Sequence, residues 1–316
     1  MLMDQSSWDD TLVDVRPPRP FPGDAVSHQS SRDEQPKRSP GKTSRGEGRA
    51  ISAQARPRVA VFKMASCDGC QLQLLDAEDA LLELAGAIDI VNFAEASSHI
   101  EPGPYDVTLV EGSVSTLEQE EQVREIRAES RVLVTIGACA TSGGVQALRN
   151  ATGKHEEFVR AVYPTPEYVA SLEDSHPIAD YVPVDLELTG CPVDRGQLLG
   201  AIAALLRGAV PRVSTVPVCV ECKRRGAVCV VVAKGEPCLG PVTRTGCGAL
   251  CPGVDRGCYG CFGPAQEPGN TGALGRRFIE LGLSREQAAD RFRFITGWAP
   301  AFREASDELR REEAGA

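Results

Sequence analysis

Residues 58–70 read RVAVFKMASCDGC, and this stretch decides how the rest of the chain is read. Arg58 to Met64 is a short apolar run with Val and Phe, the pattern of a buried strand. Similar runs recur at Ile88 to Phe93, Val107 to Val110, Val132 to Ile136 and Val184 to Leu188. Helix-favouring segments lie between them. Gln71 to Gly86 sets Leu72, Leu75 and Leu82 on a helical face, with Gly86 placed to stop it. Ser115 to Ser130 is acidic, and Gly196 to Arg207 is apolar. Strands alternating with helices in short units predict an α/β fold built on a doubly wound parallel sheet.

The first four cysteines fall just past these strands. Cys67 and Cys70 follow the first, Cys139 (VTIGACATSGG) follows the fourth, and Cys191 (LELTGCPVD) follows the fifth. An open parallel sheet gathers functional groups at the carboxyl ends of its strands, near the topological switch point. Thiols from distant positions are therefore expected to meet at one edge. Gly69, Gly137, Gly143, Gly144 and Gly190 flank them and leave room for backbone amides to approach sulfur. A four-thiolate site suits zinc or a [4Fe–4S] cluster. A thioredoxin-like pair at Cys67 and Cys70 is a third reading, but it leaves Cys139 and Cys191 without a role.

After Pro211 the composition changes. The stretch 214–270 holds eight of the twelve cysteines among many Gly and Pro, with one expected strand, Val228 to Ala233. A segment this small needs internal cross-links to fold, and metal centres would supply them. By chain order the eight divide into Cys219, Cys222, Cys229, Cys238 and Cys247, Cys251, Cys258, Cys261. Spacing alone leaves a zinc ribbon open, since four soft thiolates suit either metal. Three complete sets with no cysteine spare favour iron, because a row of clusters makes a wire. His28, His99, His155 and His176 stand apart from every cysteine array and read as surface or loop residues. From Gly272 onward, Phe278, Leu281, Leu283, Ala288, Phe292 and Phe294 suggest two closing helices, the last one polar and frayed.

Composition sets the outer limits. At 316 residues the chain can form two modest domains, and its net charge of −10 disfavours nucleic acid as a partner. The longest apolar stretch, Leu198 to Leu206, is too short to cross a bilayer. The opening MLMDQSSWDD shows no export signal, so a reducing, cytoplasmic setting is expected, where clustered cysteines bind metal more often than they form disulfides. Residues 1–56 lack hydrophobic periodicity and read as a disordered tail. The expected domains are 57–212, carrying the sheet, and 213–316, carrying the eight-cysteine segment and the closing helices.

Taken together, SCDGC, VEGSV, IGACATSGG, LTGCPVD and CLGPVTRTGCGALCP followed by CYGC resemble the small subunit of [NiFe] hydrogenases. The likeness is to the cytoplasmic, nicotinamide-linked group that includes the delta subunit of the sulfhydrogenases, within the 20-kDa-like family of NADH:ubiquinone oxidoreductase. It implies a flavodoxin-like sheet with a small, irregular iron–sulfur cluster domain and C-terminal helices. It also implies three [4Fe–4S] clusters: a proximal one on Cys67, Cys70, Cys139 and Cys191, a medial one on Cys247, Cys251, Cys258 and Cys261, and a distal one on Cys219, Cys222, Cys229 and Cys238. Cys219 stands where exported members carry a histidine, and Cys251 supplies a fourth thiolate where their medial cluster has three irons. Glu111, in VEGSV, matches a family carboxylate near the proximal cluster; it is either a supporting or proton-path group or a strand-end acid capping the following helix. The implied partners are a large subunit with the Ni–Fe site and flavin/iron–sulfur subunits that exchange electrons with NAD(P). The chain itself has neither a nickel motif nor a dinucleotide fingerprint. Rival expectations are a Complex I-like or membrane-bound hydrogenase subunit, a zinc-stabilised interaction module and a stand-alone thiol oxidoreductase.

Overall fold

The structure is a computed structural model that describes residues 56–266 and 269–314. The tail expected over residues 1–56 lies, except for Arg56, outside the described residues.

Five strands form one parallel sheet: β1 (Arg58–Lys63), β2 (Asp89–Phe93), β3 (Tyr105–Glu111), β4 (Ser130–Ile136) and β5 (Leu186–Leu188), in the order β2-β1-β3-β4-β5. The register runs Lys63 beside Glu111, Glu111 beside Ile136, and Ile136 beside Leu188. Four strands therefore end level, and the loops that leave them emerge at one edge. The strand order reverses between β1 and β3, which is where such sheets make their crevice.

Side chains alternate between the two faces of the sheet, and each face has its own core. Val59, Val61, Leu109 and Val134 pack on one side against α1 (Gly69–Leu75), α2 (Asp79–Ala87) and α6 (Arg195–Leu206), through Leu74, Leu84, Leu198 and Ile202. Val110 and Leu133 pack on the other against Val123 and Ile126 of α3 (Leu117–Glu129), with Ile178 and Val182. Thr116 starts α3 by accepting the Gln119 N–H at 3.2 Å, and Glu118 and Glu120 suit the helix dipole. Beyond β4 come the short α4 (Gly137–Ser142) and α5 (His155–Val162).

Three local expectations are corrected. The segment 71–86 forms two helices, not one, broken at Asp76–Glu78 where Glu78 turns to φ 45°; Gly86 lies inside α2 and does not stop it. The expected strand Val228 to Ala233 is absent, because α7 (Cys219–Arg224) is followed by a short helix, α8 (Val230–Lys234). Its Val230 is buried against Val218 and Cys238, so tertiary packing overrides the β preference of valine. The closing region holds three helices, α9 (Thr271–Glu280), α10 (Arg285–Phe292) and α11 (Pro300–Ala314). Rather than fraying, α11 buries Phe302, Ala305, Ser306 and Leu309, one face at helical spacing. That face meets Phe278 and Phe292 together with Leu239 and Val242, which ties the closing helices to the cysteine-rich segment.

Candidate metal centres

The first set of thiols assembles where the register predicts. Cys67 and Cys70 enter α1 directly after β1, Cys139 sits in α4 after β4, and Cys191 follows β5. Burial chiefly pushes Cys139 up to about 11; a hydrogen bond from Gln146 opposes this, and the charges of Cys191 and Cys67 add to it. Burial also raises Cys70 and Cys191, with Cys139 and Cys191 adding to the first and Cys67 to the second. The four thiols thus lie within electrostatic reach of one another. The backbone is shaped around their sulfur atoms. Gly137, at φ +85°, adopts a conformation that side chains resist, and a Cβ there would collide with Cys70 Sγ. The Val193 N–H points at Cys70 Sγ at 3.4 Å.

Glu111 is almost completely buried, at 2% exposure. Its carboxylate accepts the backbone N–H of Cys70 at 3.1 Å and of Gln71 at 3.4 Å. It caps α1, which follows the neighbouring strand β1, whereas the helix after its own strand is capped by Thr116. Burial raises its carboxyl above the usual range, against the pull of these N–H groups. Gln146 was not signalled by the sequence: its side chain reaches the Ala65 carbonyl at 2.7 Å while also facing Cys139.

The eight later cysteines form two further neighbourhoods. Burial raises Cys219 to about 11, and Cys238, Cys222 and Cys229 add to it; Cys222 is raised by burial and then by Cys238 and Cys229. Burial raises Cys251 and then Cys247 adds; Cys261 is pushed to about 12 by burial, with Cys247, Cys191 and Cys251 adding. Cys258 is raised by burial, with Cys238 and Cys261 adding. Cys191 and Cys261 feel each other's charge, and so do Cys238 and Cys258, whose backbone N–H points at Cys238 Sγ at 3.2 Å.

Backbone donors converge here as well. The Gly240 and Cys258 N–H groups point at Cys238 Sγ at 3.4 and 3.2 Å, and the Gly260 N–H points at Cys258 Sγ at 3.4 Å. Glu221, between two cysteines of α7, accepts the N–H of Gly246 at 3.0 Å and of Ala249 at 3.1 Å, fixing the loop that carries Cys247. Sequence reading missed it, although an acid inside a C-x2-C pair was a visible signal.

These donor sets fit iron–sulfur clusters: four thiolates each, with N–H groups aimed at sulfur and glycine where a side chain would intrude. Among the described residues no three His, Cys, Asp or Glu side chains meet closely enough to grip a single ion. A cubane is held from further out, each thiolate bonding a different iron. His99, His155 and His176 pair with Glu101, Ser171 and Asp180 respectively, and His28 lies outside the described residues.

A family described as NADH ubiquinone oxidoreductase, 20 Kd subunit, matches residues 67–205. The delta subunit of sulfhydrogenase 2 from Pyrococcus furiosus is 36% identical over 241 residues, covering 76% of this chain and 100% of that protein. The chain belongs to the small-subunit family of [NiFe] hydrogenases. A vhu subunit of the F420-non-reducing hydrogenase from Methanocaldococcus jannaschii is 34% identical over 245 residues, 68% of this chain and 85% of its own length. The delta subunit of the NAD-reducing hydrogenase HoxS from Cupriavidus necator is 27% identical over 173 residues, 50% of this chain and 83% of its own. Hydrogenase small subunits are iron–sulfur members of oxidoreductase complexes, and each pairs with a large catalytic subunit. Among the described residues of this one, no helix is long and apolar enough to cross a membrane.

Proposed function

We propose that this chain carries electrons between the Ni–Fe site of a large subunit and an NAD(P)-linked flavoprotein partner through three [4Fe–4S] clusters, in the cytoplasm. Cys67, Cys70, Cys139 and Cys191 would hold the proximal cluster, Cys247, Cys251, Cys258 and Cys261 the medial one, and Cys219, Cys222, Cys229 and Cys238 the distal one. The observation that supports the reading is the contact between the later sets: the Cys258 N–H points at Cys238 Sγ at 3.2 Å, and Gly240 lies against Cys238, Cys219 and Cys258 together. Exposure supports the two ends: Cys67 and Cys191 reach the surface in the first set and Cys229 in the last.

When bound, the clusters supply reversible storage of single electrons. The chain's own residues hold and shield them. Glu111 fixes the amides of Cys70 and Gln71, Glu221 fixes the loop of Cys247, and the buried thiols Cys70, Cys238 and Cys258 keep water from the inner sides. The N–H groups of Val193, Gly240, Cys258 and Gly260 stabilise negative charge on sulfur.

Anaerobic purification with metal analysis and electron paramagnetic resonance of the reduced form tests this. About four irons and four sulfides per cysteine set are expected, as cubane ligation requires, together with a copurifying nickel protein. Zinc at one ion per set would overturn the reading, and a membrane partner would redirect it to a membrane-bound complex.

A further inference from the structure

Resting on the proximal and medial assignments above, we propose that Phe262 is a positioning residue for electron transfer: its buried ring sets the spacing between the loops of Cys191 and Cys247 and keeps water from between those two cysteine sets. Phe262 follows Cys261, Gly190 precedes Cys191, and Gly246 precedes Cys247. The ring lies over both glycines. Its Cζ atom is 2.9 Å from where a Cβ on Gly190 would sit, and Cε1 and Cδ1 are 2.7 and 2.9 Å from where one on Gly246 would sit. Two glycine backbones thus press on one ring, and three ligand loops meet there, one from the proximal set and two from the medial. The Cys191 N–H also faces the Cys261 thiol and eases its ionisation, so the two sets are adjacent at this seam.

The surroundings hold the ring still. The Gly190 carbonyl accepts the Ala138 N–H at 2.7 Å, which ties its loop to the helix of Cys139. The Gly246 N–H donates to Glu221 at 3.0 Å, and the Gly263 carbonyl, one residue past Phe262, accepts the Arg244 N–H at 2.9 Å. Gln197 of α6 also reaches Gly246, so a helix of the sheet abuts the cysteine-rich segment here. Phe262 is 4% exposed, yet among the described residues it belongs to none of the apolar cores. A ring used for packing alone would be expected inside one of them. Backbone from two ligand loops meets it instead, which leaves it the role of filling the seam between two charged centres. Each all-thiolate cluster gains one negative charge on reduction, so a dry seam holds both potentials down, and water admitted there raises them.

The test uses the full-length, iron-loaded chain, titrated anaerobically with dithionite and mediator dyes and read by electron paramagnetic resonance. Phe262→Ala is expected to raise the midpoint potentials of the proximal and medial clusters, by about tenfold in the reduction equilibrium or ~59 mV for one electron. The distal potential is expected to stay, and the magnetic splitting between the first two clusters, when both are reduced, to change. Phe262→Leu keeps the seam apolar with a smaller void. It is expected to shift the same two potentials in the same direction by less, and it carries the test if the alanine variant does not fold. Phe278→Ala is the structural control: a fully buried ring of α9, whose loss should lower stability and leave all three potentials in place. Iron at about twelve per chain, with potentials and splitting unmoved in whichever Phe262 variant folds, would overturn the wedge and leave the cluster reading intact. So would equal shifts in all three clusters, or in Phe278→Ala, because the ring would then serve general packing only. An unaltered chain that binds no iron would remove the cluster reading, and this proposal with it.

Discussion

Replacing Gly137 with alanine is expected to empty the first thiol set and leave the other two filled. Two terms follow from the structure. A side chain at φ +85° costs about 1–2 kcal/mol of backbone strain. The new Cβ would also occupy the place of Cys70 Sγ, so the thiol must leave its rotamer, at about 0.5–1.5 kcal/mol, and lose the Val193 N–H. The total of about 1.5–3.5 kcal/mol lies inside a folding stability of about 5–15 kcal/mol, so the domain still forms. The displaced ligand is the larger consequence. Iron per chain, with spin integration of the reduced protein, is expected to fall from about twelve to about eight. Gly153→Ala provides the control: φ is +60°, but nothing lies within 4 Å of the added Cβ, so it should bear the strain and keep all its iron. A Gly137→Ala protein with a full complement of iron and unaltered spectra would refute the reasoning.

Three further perturbations probe other parts of the molecule. Glu221→Ala leaves the N–H groups of Gly246 and Ala249 without their acceptor, at about 1–3 kcal/mol each, and should loosen the middle set first; spectroscopy that finds the first set lost instead would contradict this. Phe302→Ala opens the contact with Phe292, whose ring centroid is 5.9 Å away, and should lower stability by about 3–5 kcal/mol in anaerobic denaturant titrations; a surface-like loss below about 0.5 kcal/mol would mean α11 is not docked. Burial raises the Glu187 carboxyl above its ordinary 4.5, with Arg244 acting the other way. A carboxyl raised on folding binds its proton more tightly when folded, so its contribution is full below 4.5 and is lost as pH climbs through the raised value. Glu187→Gln should flatten that decline in the denaturation midpoint, and an unchanged slope would dismiss it.

The sheet was legible because its strands are buried on both faces and read as Val-, Ile- and Leu-rich runs, leaving few other elements they could form. The placement of Cys67, Cys70, Cys139 and Cys191 at one edge was legible in the topology, since they sit just past strands whose ends the register brings level. Local breaks were less visible. Leu72, Leu75 and Leu82 continue a helical pattern straight through Asp76–Glu78, yet Leu72 and Leu82 are exposed, so that pattern did not mark a core-facing stripe. The valines of α8 carried strand propensity in a segment where cysteine packing decides the backbone. The docking of α11 could have been read from Phe302, Ala305 and Leu309, had its many charged residues not suggested solvent on all sides. Glu111 and Glu221 were both in view as residues, but their roles depend on which distant N–H groups come to face them, and sequence does not reveal that.

Anomalous diffraction at the iron edge from anaerobically grown crystals tests the central claim most directly. Three separate iron peaks are expected, one within each thiol quartet, with the peak at Cys247, Cys251, Cys258 and Cys261 lying between the other two. Signal at the zinc edge alone, or no peak beside Cys67, Cys70, Cys139 and Cys191, would contradict it.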